Sequence, residues 1–273
     1  MPGPQPHLER GDGAAEIVFA RGGIVHLYQR TPCRVLFPAA EPDDLPVAAL
    51  VTTSGGLAGG DRLRLSLKVE EGARAIATTA AAEKVYRSLG PDVVVDIALG
   101  VAAEGWLEWL PQETILFDHA RLVRRIEAEI APEAKLIAAE TLVFGRTAHG
   151  ERFARGLLHE GWRVRVGGRL VWADALRLDG DIGRMLAAPA GFGGAAALAT
   201  AIYVGSDASD RLPAARAIAE VEGGAATLVN GVLLARFADA RADRVRLALT
   251  RYLCCLRQAA GGLPASLPRL WHN

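Results

Sequence analysis

Thr52-Thr53-Ser54-Gly55-Gly56-Leu57-Ala58-Gly59-Gly60-Asp61 runs directly into Arg62-Leu63-Arg64-Leu65-Ser66-Leu67-Lys68-Val69-Glu70. The second half alternates without a break. Leu63, Leu65, Leu67 and Val69 share one face and Arg62, Arg64, Ser66, Lys68 and Glu70 the other, the two-residue period of a strand buried on one side. The first half has glycine at 55, 56, 59 and 60 and a single acid, so it reads as a tight turn that needs positive φ or close backbone approach.

The same grammar extends in both directions. Before the turn, strands are expected at Ala15 to Ala20, Ile24 to Gln29, Arg34 to Phe37 and Val47 to Thr52; after it, at Ala73 to Thr79, Val93 to Leu99, Trp106 to Leu110 and Thr114 to Phe117. Further on, Arg124, Ile126, Ala128 and Ile130 oppose Arg125, Glu127 and Glu129, and Trp162, Val164 and Val166 oppose Arg163 and Arg165, with Leu170 and Trp172 continuing the series. Turn signals at about ten-residue spacing fit a sandwich, a barrel or a stacked-strand solenoid. No fixed repeat with constant residue identities stands out.

The C-terminal third changes character. Ser209-Asp210 with Pro213 predicts a helix to about Val221, followed by a strand at Val232 to Phe237. Val245, Ala248, Leu249, Tyr252, Leu253 and Leu256 then mark an amphipathic helix closed by Gly261-Gly262. The uncharged stretch Met185 to Ser206 is rich in Ala, Gly and Pro rather than Leu, so it is read as a buried loop leading to a strand at Ala199 to Val204, not as a membrane span.

Composition narrows the function. Lys+Arg and Asp+Glu are equal at 31 each in 273 residues, 51% of them hydrophobic, which excludes a disordered chain or a polyanion binder and suits a protein that lives in a complex. Cys33, Cys254 and Cys255 form no disulfide framework, and the first 13 residues, expected to be disordered, carry no apolar signal segment, so the cytoplasm is the expected compartment. The glycine turn lacks the Lys-Ser/Thr of a phosphate loop and leads to a strand, so nucleotide binding is not indicated. The six histidines show no zinc spacing, and no Gly-x-Ser-x-Gly elbow occurs. Isolated acids remain: Glu83, Glu113, Asp118, Glu140, Glu151, Asp174 and Asp179. Oxygen ligands scattered over separate strands would hold a divalent ion weakly and reversibly.

Four motifs and an ending then point to one family. Ser54-Gly55-Gly56-x-x-Gly59-Gly60-Asp61, Thr78-Thr79-x-x-x-x-Lys84-Val85-Tyr86-Arg87, Leu110-Pro111-Gln112-Glu113-Thr114-Ile115-Leu116-Phe117, Glu140-x-x-x-x-Gly145-Arg146-x-x-x-Gly150-Glu151 and the terminal Pro268-Arg269-x-Trp271 resemble the urease accessory protein D family, UreD or UreH. The resemblance implies a single domain over 1–273, mainly β, with stacked strands in a helical or solenoid-like arrangement and a small C-terminal helical element. It implies a non-enzymatic maturation chaperone that binds apo-urease and the UreF and UreG partners for GTP-dependent nickel insertion. No cofactor is bound tightly, nickel passes transiently, and neither nucleic acid nor membrane is a partner.

Carried over onto matching positions, the resemblance makes Asp61, Glu140 and Asp174 candidates for the nickel path. Gly55, Gly56, Gly60, Lys84, Tyr86, Arg87 and Arg146 are its motif and partner-face residues, and Trp106 and Trp109 are either anchors or core. Ala80 and Glu83 stand where the family commonly shows Gln and Thr, and His119 where a small residue is expected. The alternative is a β-solenoid carbohydrate-active enzyme using paired carboxylates in an open cleft.

Overall fold

A computed structural model describes residues 10–272. It holds two stacked sheets, and the chain passes back and forth between them. The first sheet contains β1 (Asp12–Ala20), β2 (Gly23–Arg30), β5 (Arg62–Val69), β8 (Val93–Val101), β11 (Arg121–Ile130), β13 (Arg155–Val166) and β14 (Arg169–Asp181). The second contains β3 (Cys33–Leu36), β4 (Val47–Thr52), β6 (Arg74–Thr79), β7 (Glu83–Val85), β9 (Trp106–Leu110), β10 (Thr114–Leu116), β12 (Lys135–Phe144), β15 (Ala197–Val204), β16 (Ala225–Val229) and β17 (Val232–Asp239). Of the N-terminal residues expected to be disordered, 1–9 lie outside the described residues, whereas Asp12 and Gly13 already belong to β1.

The middle of the chain is a solenoid. β5, β8, β11 and β13 are parallel neighbours in the first sheet, and β4, β6, β9 and β12 are parallel neighbours in the second. Each coil is one strand from each sheet, so every passage from second sheet to first falls at the same end of the molecule. Unequal crossover lengths, with β7 and β10 inserted in two of them, explain why no fixed repeat is legible.

The two sheets differ in what covers them. The first has one face on the interior and one outside, so β8 and β11 alternate buried with more exposed residues. The second is covered twice: its inner face meets the first sheet through Leu107, Trp109, Leu136 and Ala138, and its outer face carries helices α2 (Ala208–Val221) and α3 (Ala242–Gly261). Strands buried on both faces lose alternation. Lys135–Phe144, buried throughout after its first residue, is such a strand and had no two-residue signal to find. Trp106 and Trp109 are both core, on opposite faces of β9.

The two C-terminal helices appear where expected, with two corrections. The α2 N-cap is Asp207 rather than Ser209-Asp210, and Pro213 therefore lies inside the helix. The stretch from Met185 begins in the short helix α1 (Ile182–Ala187) and runs into β15, buried at seven of its eight positions, but the loop between them, 188–194, is exposed or half-buried and not the buried loop expected. Among the described residues no helix is long and apolar enough to cross a membrane.

A buried ionic lock ties α3 down. Arg257, fully buried, donates from Nε to Glu108 Oε2 (2.7 Å) and from Nη2 to Asp44 Oδ1 (2.5 Å), and its Nη1 reaches the carbonyls of Pro264 and Ser266. Trp106 Nε1 donates to the other Glu108 oxygen at 3.0 Å. Burial pushes the Glu108 carboxyl up to about 7, even though Arg257 and the Trp106 N–H oppose the shift.

Candidate functional site

The crossover end gathers the sequence motifs. The segments 53–61, 80–92, 117–120 and 145–154 each carry the chain from the second sheet to the first, and they stack as the coils beneath them do. Leu57 N–H donates to Lys84 O (2.7 Å) and Tyr86 N–H to Leu57 O (2.8 Å); Phe117 N–H reaches Val85 O, Ser88 N–H reaches His119 O, and His119 N–H reaches Arg155 O. Side chains continue the stack. Tyr86 Oη donates to Gly55 O at 2.8 Å, the Tyr86 ring meets Phe117 edge-on at 5.1 Å, and the Arg146 guanidinium covers Phe117 at 4.1 Å while pairing with Glu151 at 2.5 Å.

The glycines make this packing possible. A Cβ at Gly56 would stand 2.6 Å from the Tyr86 ring, and one at Gly59 would fall within 2.6 Å of Pro91 O and onto the Ser88 hydroxyl. The glycine turn is thus the place where one crossover lies against the next.

The C-terminal motif docks onto the same coils. Trp271, buried, donates from Nε1 to Thr78 Oγ1 and Leu110 O, both at 3.2 Å, and Gln112 Nε2 donates to Leu270 O at 2.8 Å. Arg246 of α3 joins them, bonding Glu113 at 2.5 Å and the Trp271 carbonyl at 2.7 Å.

Beneath the crossovers, between the sheets, lies a cavity of about 230 Å³. A water occupies about 30 Å³ of liquid, so the space holds a few water molecules or a hydrated ion. Its polar lining is Thr52, Thr79, Glu83, Gln112, Thr114, Arg124 and Glu140, with Cys33 on one wall, and it meets the surface beside the exposed Ala81 and Lys84. Glu83 accepts a 2.5 Å hydrogen bond from Thr52 Oγ1. Burial raises its carboxyl, the Thr52 and Lys84 hydrogen bonds and nearby Arg124 lower it, and Asp61 adds to the rise. The Cys33 thiol is pushed up to about 11, first by burial and then by Glu83, so it faces the cavity as a neutral thiol rather than a thiolate ligand.

Arg124 organises the charged interior. It donates from Nε to Glu160 Oε2 (2.8 Å), from Nη1 to Thr114 Oγ1 (2.7 Å) and from Nη2 to Glu140 Oε2 (3.4 Å), with a second, short contact from Nη2 to Glu160. Glu140 Oε1 accepts from Trp162 Nε1 at 3.0 Å. Two carboxylates thus share one guanidinium, and Glu160 Oε1 is buried without a hydrogen-bond partner. Burial drives the Glu160 carboxyl upward, Arg124 opposes it, and Asp174 adds to the rise.

Asp61, Glu140 and Asp174 do not form one cluster. Asp61 is buried at the foot of the glycine turn, where Oδ1 accepts from Gly11 N–H and Oδ2 from Ala58 N–H, both at 2.8 Å. Glu140 lines the cavity. Asp174 lies on the edge strand β14 and pairs with Arg236 of β17, across the gap between the sheets. The remaining motif residues, Gly55, Gly56, Gly60, Lys84, Tyr86, Arg87 and Arg146, all belong to the crossover end. Among the described residues no group of three or more His, Cys, Asp or Glu is placed to hold a metal ion.

Two site residues were not singled out by sequence reasoning, Arg124 and Glu160, whereas Glu83, one of the isolated acids, does line the cavity. Arg124 and Glu160 carried a signal, since each sits on the apolar phase of its strand, Arg124 with Ile126 and Ala128, and Glu160 with Trp162 and Val164. His119 adopts a left-handed φ of 63°, a region in which His, with Asn and Asp, is enriched among non-glycine residues.

The family model described as "UreD urease accessory protein" matches residues 11–272. The urease accessory protein UreD of Rhodopseudomonas palustris strain BisB5 is 47% identical over 90% of this chain and 84% of its own length. UreD 2 of Methylorubrum populi is 42% identical over 100% of this chain and 94% of its own, and UreD of Granulibacter bethesdensis 46% identical over 87% and 99%.

Proposed function

The chain belongs to the UreD family of urease accessory proteins, and from that premise we propose that it is a non-enzymatic cytoplasmic scaffold that binds apo-urease with UreF and UreG and offers an incoming nickel ion a weak path during GTP-dependent insertion. The observation that carries the path is the cavity between the sheets, whose wall brings Glu83 and Glu140 together with the Arg124 guanidinium, Lys84, hydroxyls, an amide and apolar groups. Beyond them Arg124 and Glu160 continue toward Asp174, so carboxylates are strung from the crossover end to the sandwich edge.

A conduit must bind an ion well enough to admit it and weakly enough to release it. Separate carboxylates with hydroxyls and water meet that need, since they lack the thiolates and clustered imidazoles that hold transition metals hard. Arg124 sets the balance: it offsets part of the negative charge, so a divalent ion is attracted without being trapped. Asp61 serves this path indirectly, holding the crossover that forms the cavity rim.

The carbohydrate-active alternative is not favoured. The acids that come near one another, Glu140 and Glu160, are buried and joined through Arg124 instead of facing each other across an open cleft.

Co-purification tests the scaffold. Tagged chain co-expressed with apo-urease, UreF and UreG is expected to carry all three through size-exclusion chromatography; elution of the chain alone would sink the reading.

A further inference from the structure

The crossover end leaves exposed cations without an ion-pair partner among the described residues, which the stacking does not explain. Its acids are all committed. Asp61 is taken by two backbone N–H groups, Asp92 by Arg121 (2.6 Å), Glu151 by Arg146, Asp179 by Arg177 (2.8 Å), and Asp181 caps α1. At Asp118 burial pushes the carboxyl up, but the Arg155 and Ala154 N–H donors outweigh it and hold the group below its usual range, charged and occupied. Some of the cations have no such partner. Lys84, Arg87 and Arg155 are exposed and have no carboxylate within 4.0 Å among the described residues. Their guanidinium and ammonium groups are therefore free to pair with acids brought by another molecule.

An apolar residue stands two positions after Arg87, on the turn whose Ser88 and Gly90 share a groove with Arg155. Leu89 is 90% exposed, the most exposed large hydrophobic of the described residues. It is held out by a stiff turn, since Ser88 Oγ donates to Pro91 O (2.5 Å) and accepts from Gly90 N–H (3.1 Å), with the turn seated on Gly59. Beside it runs a groove lined by Ser88, His119, Arg121 and Arg155, and also by Asp179 and Asp181, which are already bonded to Arg177 and the α1 backbone. An apolar side chain presented on a preorganised turn costs little ordering entropy when it enters a pocket, which is what an anchor requires.

We infer that the Leu89 turn and its basic surround, Lys84, Arg87 and Arg155, are a docking surface for a protein partner that presents acidic residues around an apolar pocket. A protein fits better than a nucleic acid. Single-stranded nucleic acid is bound through exposed aromatic platforms, whereas Tyr86 and Phe117 here are spent on each other, on Gly55 and under Arg146. The inference rests on the accessory role proposed above only in its choice of probe.

The test immobilises the full chain and measures its affinity for apo-urease, UreF and UreG separately, at about 50 and about 300 mM salt. Variants are Leu89→Ala, Leu89→Asp, Arg87→Glu with Arg155→Glu, and Glu133→Lys in a crossover at the opposite end. For one of the three proteins, Leu89→Asp and the double reversal are expected to weaken binding about tenfold or more, and Leu89→Ala by several-fold. The double reversal should also flatten the salt dependence, and Glu133→Lys should bind as wild type. Melting temperatures should match wild type, because Leu89 buries almost nothing. If wild type binds a partner and the Leu89 and arginine variants bind it equally well, this surface is not the dock and the accessory role stands. If wild type binds none of the three, the accessory role falls and the dock with it. A short single-stranded DNA competing for the same variants would replace the protein partner by a nucleic acid and overturn the inference.

Discussion

A Cβ on Gly56 would lie 2.6 Å from the Tyr86 ring and 2.9 Å from the Lys84 carbonyl, while Tyr86 reaches back to the Gly55 carbonyl at 2.8 Å. Two crossovers of the solenoid are fitted together at a point with no room for a side chain, and Gly56 holds φ at 151°. Gly56→Ala meets both backbone strain and a carbonyl that cannot move aside, so it is expected to cost about 2–4 kcal/mol in denaturant unfolding. A cost near zero would show that the crossovers are not interlocked.

Asp61 separates structure from transport. Its two oxygens hold the Gly11 and Ala58 N–H groups, so Asp61→Ala is expected to lose about 2–4 kcal/mol, and Asp61→Asn, which keeps one acceptor, less. Any loss of urease activation in these variants should follow the loss of folded chain, as read by thermal melting and soluble yield. An Asp61→Asn protein with wild-type stability and no activation would instead place its charge directly on the path.

The α3 lock predicts a pH dependence. Glu108 titrates at about 7 in the folded chain against 4.5 for the free side chain, so the folded state holds this proton more tightly than the unfolded state. Its contribution to stability is complete below about pH 4.5 and is lost as pH rises through about 7. Wild type should therefore lose stability relative to Glu108→Gln across that window, with a slope approaching about 1.4 kcal/mol per pH unit. Parallel stability curves for the two proteins would contradict it.

Arg124 holds two buried carboxylates. Arg124→Ala leaves Glu140 and Glu160 uncompensated and is expected to cost about 3–5 kcal/mol. Combining it with Glu140→Gln and Glu160→Gln should recover part of that loss, because the charge that needed a partner is gone. A triple variant no more stable than Arg124→Ala would show that Arg124 acts through packing alone.

The sequence announced the strands of the first sheet because water lies on one side of them. Leu63 to Val69 and Ile126 to Ile130 alternate for that reason, and their observed bounds lie close to the expected ones. Lys135–Phe144 was silent because sheet and helices cover both its faces. Among the charged residues, Arg124 broke the apolar phase of its strand and was legible in principle, as was Glu108 inside Trp106 to Leu110. The role of Asp61 was not, since its donor Gly11 lies 50 residues away and meets it only through the parallel register of β1 and β5. The motifs could be listed from the sequence, but their meeting at one end needed the coil order, which unequal crossovers conceal.

The most direct test of the account is the nickel content of urease matured at limiting nickel, with wild-type chain, with Glu140→Gln and with no chain. Glu140→Gln keeps an acceptor for the Trp162 N–H and removes only the charge, so it should fold and hold its partners. Full loading is expected with wild type, clearly reduced loading with Glu140→Gln and the least with no chain. Urease fully loaded in the absence of this chain would contradict it.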